Sequence, residues 1–154
     1  STRRRRRLIF KMEIRKGNME DKKYLYDTLN NTLELRGYDQ GEAYSKRWIH
    51  EVINDQKRNI VLVAEESKKI QGFLIAHILA GKDIFLNDIY VYPQYRKKGI
   101  ASSLMNNLHK ISNQLKSKFS MGLVLVKNNK MQNLLRKNKY KKGHTFYYFY
   151  KEQI

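Results

Sequence analysis

The chain has 154 residues, no cysteine, one proline, and 32 Lys and Arg against 14 Asp and Glu, for a formal net charge of +18. That length suits one domain with a substantial core, and the missing cysteine excludes disulfides and thiolate metal sites, leaving a reducing cytoplasm as the simplest compatible compartment. No apolar run approaches the ~20 residues of a membrane-spanning helix, so no membrane insertion is expected, while the charge excess favours nucleic acid or another polyanion as a partner without selecting one.

Residues 1–11 carry the run from Arg3 to Arg7 and read as a basic arm or leader ahead of the domain; without them the formal charge is still about +12. Met12-Glu13-Ile14-Arg15 reads as the opening of the first strand, and a single domain is expected over 12–154. Leu25, Leu29 and Leu33 recur at helical spacing between Met19 and Arg36, with Gly37 as the stop. A second helix is expected from Glu42 to Ile53, with Tyr44, Trp48, Ile49, Val52 and Ile53 as its apolar face. Ile60 to Ala64 is a buried-strand pattern, followed by a polar turn at Ser67-Lys68-Lys69 and a strand from Ile70 to Leu79. Gly81-Lys82-Asp83 then turns the chain into a strand from Ile84 to Tyr92, which completes an antiparallel meander. Pro93, which has no N–H for a ladder, closes that strand.

The next helix is set by Ile100, Leu104, Leu108, Ile111 and Leu115, three or four residues apart. Gly122 to Val126 is a buried-strand candidate reached through this helical crossover, and is therefore expected to run parallel to the Ile84 strand. Lys130 to Asn138 is expected as a short helix and Thr145 to Tyr150 as a terminal strand. The fold class is mixed α/β.

The junction from Asn87 to Ala101 carries the most chemistry. An apolar strand runs through a basic turn, Arg96-Lys97-Lys98-Gly99, into the N-terminus of a long helix. Free N–H groups at a helix start, together with the helix dipole, favour a bound anion. Glycine lets backbone approach a ligand closely, and the flanking cations add charge. A diphosphate-bearing cofactor suits this turn.

Arg96-Lys97-Lys98-Gly99-Ile100-Ala101 resembles the R/Q-x-x-G-x-G/A signature of the GNAT superfamily of acetyl-CoA-dependent N-acetyltransferases. The preceding Asp88-Ile89-Tyr90-Val91, Pro93 and Tyr95-Arg96 are similar to that family's strand and entry turn. The resemblance implies a mixed, mainly antiparallel sheet with central splayed parallel strands, flanked by helices, and acetyl-CoA as cosubstrate with no metal. It implies that backbone groups of Ile89 and Val91 face pantetheine, and that Arg96, Lys97, Lys98, Gly99, Ile100, Ala101 and Ser102 bind pyrophosphate. It implies too that Asn128 contacts pantetheine.

The family's second motif, N-x-x-A-x-x-L-Y-x-K-x-G-F, aligns with residues 128–140. Asn128, Leu134, Lys137 and the aromatic Tyr140 agree, but Leu135 replaces the tyrosine that serves as general acid. Leucine cannot donate a proton. Either another group or water protonates the thiolate, or the chain binds CoA without efficient transfer; Tyr140, and with it Tyr147 and Tyr148, are the candidate replacement donors, each otherwise a packing aromatic with its hydroxyl at the surface. The strand Phe85 to Val91 is similar to that of diamine acetyltransferases, where adjacent Glu and Asp serve the amine. Asp88 matches the aspartate, whereas Asn87 holds the glutamate position and is no base. Asp88 either orients a cationic amine and passes on its proton, or caps a backbone group or pairs with a lysine; an acid in an apolar strand needs a partner or a solvated cleft. His50, His77, His109 and His144 show no paired metal-ligand spacing.

Two functions follow. One is transfer of acetyl from acetyl-CoA to a primary amine of a small molecule, a protein or an RNA-linked acceptor. The other is a nucleic-acid-binding module on the same scaffold with weak or lost catalysis. A homodimer is carried as a candidate assembly.

Overall fold

The computed structural model describes residues 11–36, 44–151 and 153, and falls into two compact units that meet in sequence between Leu123 and Val124. The first unit holds strands β1 (Glu13–Lys16), β2 (Asn59–Glu66), β3 (Lys69–Ile78), β4 (Ile84–Val91) and β5 (Ser120–Gly122). Its helices are α1 (Lys22–Asn31), α2 (Leu33–Arg36), α3 (Lys46–Asn54) and α4 (Ile100–Gln114). The sheet order is β1-β2-β3-β4-β5, antiparallel except for the β4–β5 pair. This is the mixed sheet expected, with the parallel pair reached through α4. Among the described residues that pair forms one edge of the sheet.

Local chemistry sets the helix ends. Asn18 caps the turn before α1 by accepting from Glu20 N–H at 2.9 Å, while the Asp21 carboxylate accepts from Asn18 N–H at 2.8 Å. Arg15 donates to both Asp21 oxygens at 2.8 Å and to Glu65 at 3.0 Å, tying β1, β2 and this turn together. Burial alone would push the Asp21 carboxyl up; the Arg15 guanidinium and the Asn18 N–H outweigh it and hold it below its ordinary value. The single helix expected from Met19 to Arg36 is interrupted, because Thr32 takes an extended conformation between α1 and α2. Gly37, the expected stop, lies outside the described residues. So do Glu42 and Ala43, and the second helix, α3, starts at Lys46 because the Ser45 hydroxyl accepts from Trp48 N–H at 3.0 Å and fixes the N-cap there.

Each face of the sheet has its own cover. Leu25 and Leu29 of α1 and Ile49, Val52 and Ile53 of α3 pack on Val61, Val63, Phe73, Ile75 and Tyr90. The amphipathic helix α4, with Ile100, Leu104, Met105 and Leu108 buried, packs against strands of the same sheet on the opposite side. Gly72 lies where β3 and β4 run too close for a side chain, since a Cβ there would meet Tyr90 O at 2.6 Å.

One irregularity in β4 decides what the site looks like. Ala76 pairs with Leu86 and Ile75 with Asp88, so Asn87 is an extra residue, a β-bulge. Cross-strand partners share a face: Ile84 and Leu86 stand with Ile78 and Ala76, but beyond the bulge Asp88 and Tyr90 stand with Ile75 and Phe73. The bulge therefore carries Asp88 to the α1/α3 face.

The second unit contains α5 (Asn129–Lys137). Asn128 caps it by accepting from Met131 N–H at 3.0 Å, and Leu135 is its buried residue. Two sequence expectations are corrected here. The strand expected over Gly122 to Val126 forms instead at Ser120–Gly122, where the ladder to Ile84–Leu86 exists, and Leu123 and Val126 are exposed. Thr145 to Tyr150 forms no strand, and Phe146 to Tyr150 expose 71–91% of their surface, there being no described ladder beside them to bury one face. Among the described residues, no helix is long and apolar enough to cross a membrane.

Candidate active site

Strand β4, the turn after it and the start of α4 form one continuous feature. Tyr92 N–H donates to Gln71 O at 3.0 Å, which makes Tyr92–Gln71 a hydrogen-bonded pair of the β3–β4 ladder. Hydrogen-bonded and non-hydrogen-bonded pairs alternate in an antiparallel ladder. Val91 and Ile89, opposite Gly72 and Leu74, are thus the non-bonded pairs, and their N–H and C=O groups point away from β3. The parallel ladder to β5 stops at Leu86, so among the described residues no strand meets Ile89 and Val91 on that side. The Val91 carbonyl there accepts from Arg96 Nε at 2.8 Å.

Pro93–Tyr95 forms a single tight turn, after which Lys97 and Gly99 both take left-handed conformations, φ 62° and 79°. Gly99 is the N-cap of α4 and supplies no side chain to its first N–H groups. A Cβ added at Gly99 would meet nothing within 4 Å, so the space above the turn is open. Lys97 and Lys98 are exposed beside it, whereas the Ile100 side chain is buried, which leaves its backbone alone for a ligand. Ala101 and Ser102, half-buried, continue the first turn. Open N–H groups, a cleared approach and two exposed cations, Lys98 lying over the Tyr95 ring at 5.9 Å, fit a diphosphate. Arg96 differs from its neighbours: its guanidinium lies over the Tyr90 ring at 5.3 Å and pairs with Glu34 at 3.1 Å, tying the turn to α2.

Asp88 is 8% exposed, on the α1/α3 face. Its Oδ2 accepts from Tyr44 Oη at 2.9 Å and from Asn87 Nδ2 at 2.6 Å, and Asn87 Nδ2 also donates to Tyr44 Oη at 3.1 Å. Burial pushes the Asp88 carboxyl above its ordinary range, and the two donors only partly offset this. Tyr44 is raised as well, by burial first and by the Asp88 charge second, so its hydroxyl stays protonated as a donor at neutral pH. A carboxylate that has been lifted by burial and oriented by two donors is a stronger proton acceptor than an ordinary one.

A model for the acetyltransferase (GNAT) family matches residues 23–140. The chain belongs to the acetyltransferase (GNAT) family. No curated protein sequence matches this GNAT chain significantly. Its fold is similar to that of the paiA N-acetyltransferase of Thermoplasma acidophilum, solved with coenzyme A: 22% identity, TM-score 0.79, covering 88% of this chain and 93% of that one. The aminoglycoside acetyltransferase AAC(6')-Iy, solved with a bisubstrate analogue, shares 15% identity with a TM-score of 0.76, covering 93% and 99%. A ribosomal-protein-alanine N-acetyltransferase of Brucella melitensis shares 17% with a TM-score of 0.73, covering 90% and 98%.

Of the residues singled out in the sequence, the first unit brings Asp88, Ile89, Val91 and Arg96 to Ser102 onto one strand, turn and helix start. Asn128 and Tyr140 belong to the second unit. There Asn128 Oδ1 is used as the cap of α5, and Tyr140 N–H donates to Leu135 O at 2.9 Å. Sequence reasoning missed Tyr44 as the donor to Asp88, and counted Asn87 only as a lost base. A tyrosine immediately before a serine N-cap sits off the helix it was assigned to, which is the signal that separates Tyr44 from Trp48.

Proposed function

We propose that the protein transfers the acetyl group of acetyl-CoA to a primary amine, with residues 12–154 acting as one catalytic domain. The observation that carries this reading is the pairing, on one strand, of an oriented buried carboxylate with an open edge that leads into an uncapped helix N-terminus. The family and the CoA complexes of the structural neighbours support it. The turn from Arg96 to Ser102 holds the pyrophosphate through backbone N–H groups and the Lys97 and Lys98 charges, while Ile89 and Val91 offer backbone groups to pantetheine. Arg96 acts as the brace of that turn. When bound, acetyl-CoA supplies a thioester carbonyl open to attack by a nitrogen lone pair, with a thiolate as leaving group.

Asp88 orients the incoming ammonium and accepts its proton, so that a neutral amine faces the carbonyl. Asn87 and Tyr44 keep the carboxylate turned. Tyr140 is retained, on the sequence alone, as the donor to the leaving thiolate, and Asn128 as a pantetheine contact. The acceptor is a small molecule, a protein amine or an amine carried on RNA; the formal +18 favours a neutral or anionic carrier.

The test is thiol release from acetyl-CoA with and without a panel of primary amines, in the natural chain and in Asp88→Asn. Amine-dependent release that falls at least tenfold in the variant, with acetyl-CoA affinity kept, is the expected result. No release with any amine, alongside salt-sensitive RNA binding, would favour the binding-module reading that the charge suggests.

A further inference from the structure

The charge of this chain is segregated along it. Residues 12–88 carry thirteen Asp and Glu against twelve Lys and Arg, whereas from Ile89 to Lys151 there are fourteen Lys and Arg and no acidic residue. Cations of the first unit find acidic partners, as Arg15 does on Asp21 and Glu65, Arg47 on Glu51 and Arg96 on Glu34. The second unit has eight Lys and Arg against the single Glu152. All eight are exposed, and among the described residues none is held in an ion pair. Five of them fall between Arg136 and Lys142, in the last turn of α5 and just beyond it. The helix dipole favours Arg136 and Lys137 at that end but gives no reason for the other three.

The same stretch of chain runs on into Phe146 to Tyr150, five consecutive aromatic residues that expose 71–91% of their surface and form no helix, strand or turn. Rings two residues apart meet: His144 and Phe146 at 6.4 Å, and Tyr148 and Tyr150 at 5.8 Å with only 17° between their planes. The segment is therefore extended, with Phe146, Tyr148 and Tyr150 on one side and Tyr147 and Phe149 on the other. Contiguous ring surface left in water marks an interaction site, and the charge around it selects the partner. A second copy of this chain, equally cationic, is repelled. A lipid surface is met by a helix with one apolar face and a bonded backbone, whereas this segment has rings on both sides and its backbone lies in no ladder. Single-stranded nucleic acid supplies both missing partners: phosphates for the cations, and for the rings the flat base faces that a duplex keeps stacked inside.

We infer that the second unit is a binding surface for single-stranded nucleic acid, in which the cations of 127–142 hold the phosphate backbone and the rings of 146–150 stack on bases. The inference does not rest on acetyl transfer. Phosphate contacts and stacking read no base edges, so the surface tolerates any sequence and discriminates by strandedness. Its two attractions are separable, because phosphate contacts release counterions and weaken with salt in proportion to their number, whereas stacking does not.

The full chain is titrated against fluorescein-labelled oligo(dT) and oligo(U) of about 15 nucleotides and a duplex of the same length, by fluorescence anisotropy over a salt series. Vesicles of phosphatidylserine and phosphatidylcholine are tested in parallel by sedimentation. Tyr148→Ala with Tyr150→Ala should weaken single-strand binding by about 5- to 150-fold, the range for one lost stacking contact, and leave the salt slope and duplex binding unchanged. Lys141→Gln with Lys142→Gln should instead lower the slope of log K against log salt by about 1.4, two phosphates at ~0.7 each. All four side chains are exposed, and an unchanged Tm shows that each variant folds. Ultraviolet cross-linking of the natural chain to oligo(dT), mapped by peptide mass, should place the strand on residues 124–154 and needs no variant. Cross-links confined to other segments would overturn the inference. So would a folded tyrosine variant that binds single strands as tightly as the natural chain, and loss of vesicle binding in that variant alone would assign the rings to a lipid surface instead.

Discussion

Replacing Tyr44 with phenylalanine removes a single oxygen and tests whether Asp88 works as an ionised, oriented base. The hydroxyl donates to Oδ2 at 2.9 Å and accepts from Asn87 at 3.1 Å, next to a carboxylate 8% exposed. A hydrogen bond to a charged group contributes about 1.5–3 kcal/mol, and this one is shielded from solvent. In a domain of this size about 2–4 °C of Tm accompanies each kcal/mol, so Tyr44→Phe should melt about 3–12 °C lower at neutral pH. The sign with pH is fixed by the same bond. The Tyr44 donor favours the charged carboxylate, so its loss pushes Asp88 further up, and the acidic limb of kcat/KM should move to higher pH. Below the Asp88 titration the carboxyl is neutral, the lost bond matters less, and the Tm difference should narrow. Thermal unfolding across a pH series, with a pH–rate profile of amine-dependent thiol release, measures both. A pH-independent loss of Tm, or an acidic limb that stays put or moves down, would refute the view that Tyr44 stabilises a working carboxylate.

Acetyl-CoA at a hundred times its Kd should stabilise the natural chain by about 2.7 kcal/mol, and Gly99→Glu, which puts bulk and negative charge above the open turn, should abolish the accompanying rise in Tm; an undiminished rise in the folded variant would move the pyrophosphate elsewhere. Arg15→Met leaves the buried Asp21 carboxylate without its guanidinium and should cost about 3–5 kcal/mol in denaturant unfolding. Asp21 sits below its ordinary value of 3.8, so its contribution is complete above that pH and is lost as the pH falls through the folded-state value; the acid-induced loss of stability should be smaller in the variant. A chain that starts at Met12 should still bind RNA at low salt with a shallower salt slope than the whole chain, and absence of binding in a filter or fluorescence assay would reduce the remaining charge to a solvated surface.

Much of the first unit was legible because its signals are local. The spacing of Ile100, Leu104 and Leu108 defined α4, and Gly99 between cations and a helix start marked the anion turn. Tyr44 could not be matched to Asp88 in this way, since 44 residues separate them and only the packing of α3 on the sheet joins them. The bulge at Asn87 was hidden for a subtler reason. Ile84, Leu86, Asp88 and Tyr90 are all buried, so the alternation along β4 looks unbroken although the two halves face opposite sides of the sheet. The apolar run after Gly122 suggested a strand by composition, but strands need ladders as well as apolar side chains, and the ladder to β4 ends at Gly122. The same holds for the aromatic run from Thr145 to Tyr150.

The bulge also sets how this point of the chain tolerates change. Flattening it, with Asn87 opposite Ile75, would put the rest of β4 out of phase: the Asp88 carboxylate would swing into the apolar layer under α4, and the carbonyls of Ile89 and Val91 would turn inward to β3. Amine site and cofactor edge would fail in a single event. Deleting Asn87 leaves Leu86 opposite Ala76 and Asp88 opposite Ile75, so both flanks keep their faces and the loss is confined to the Asn87 amide.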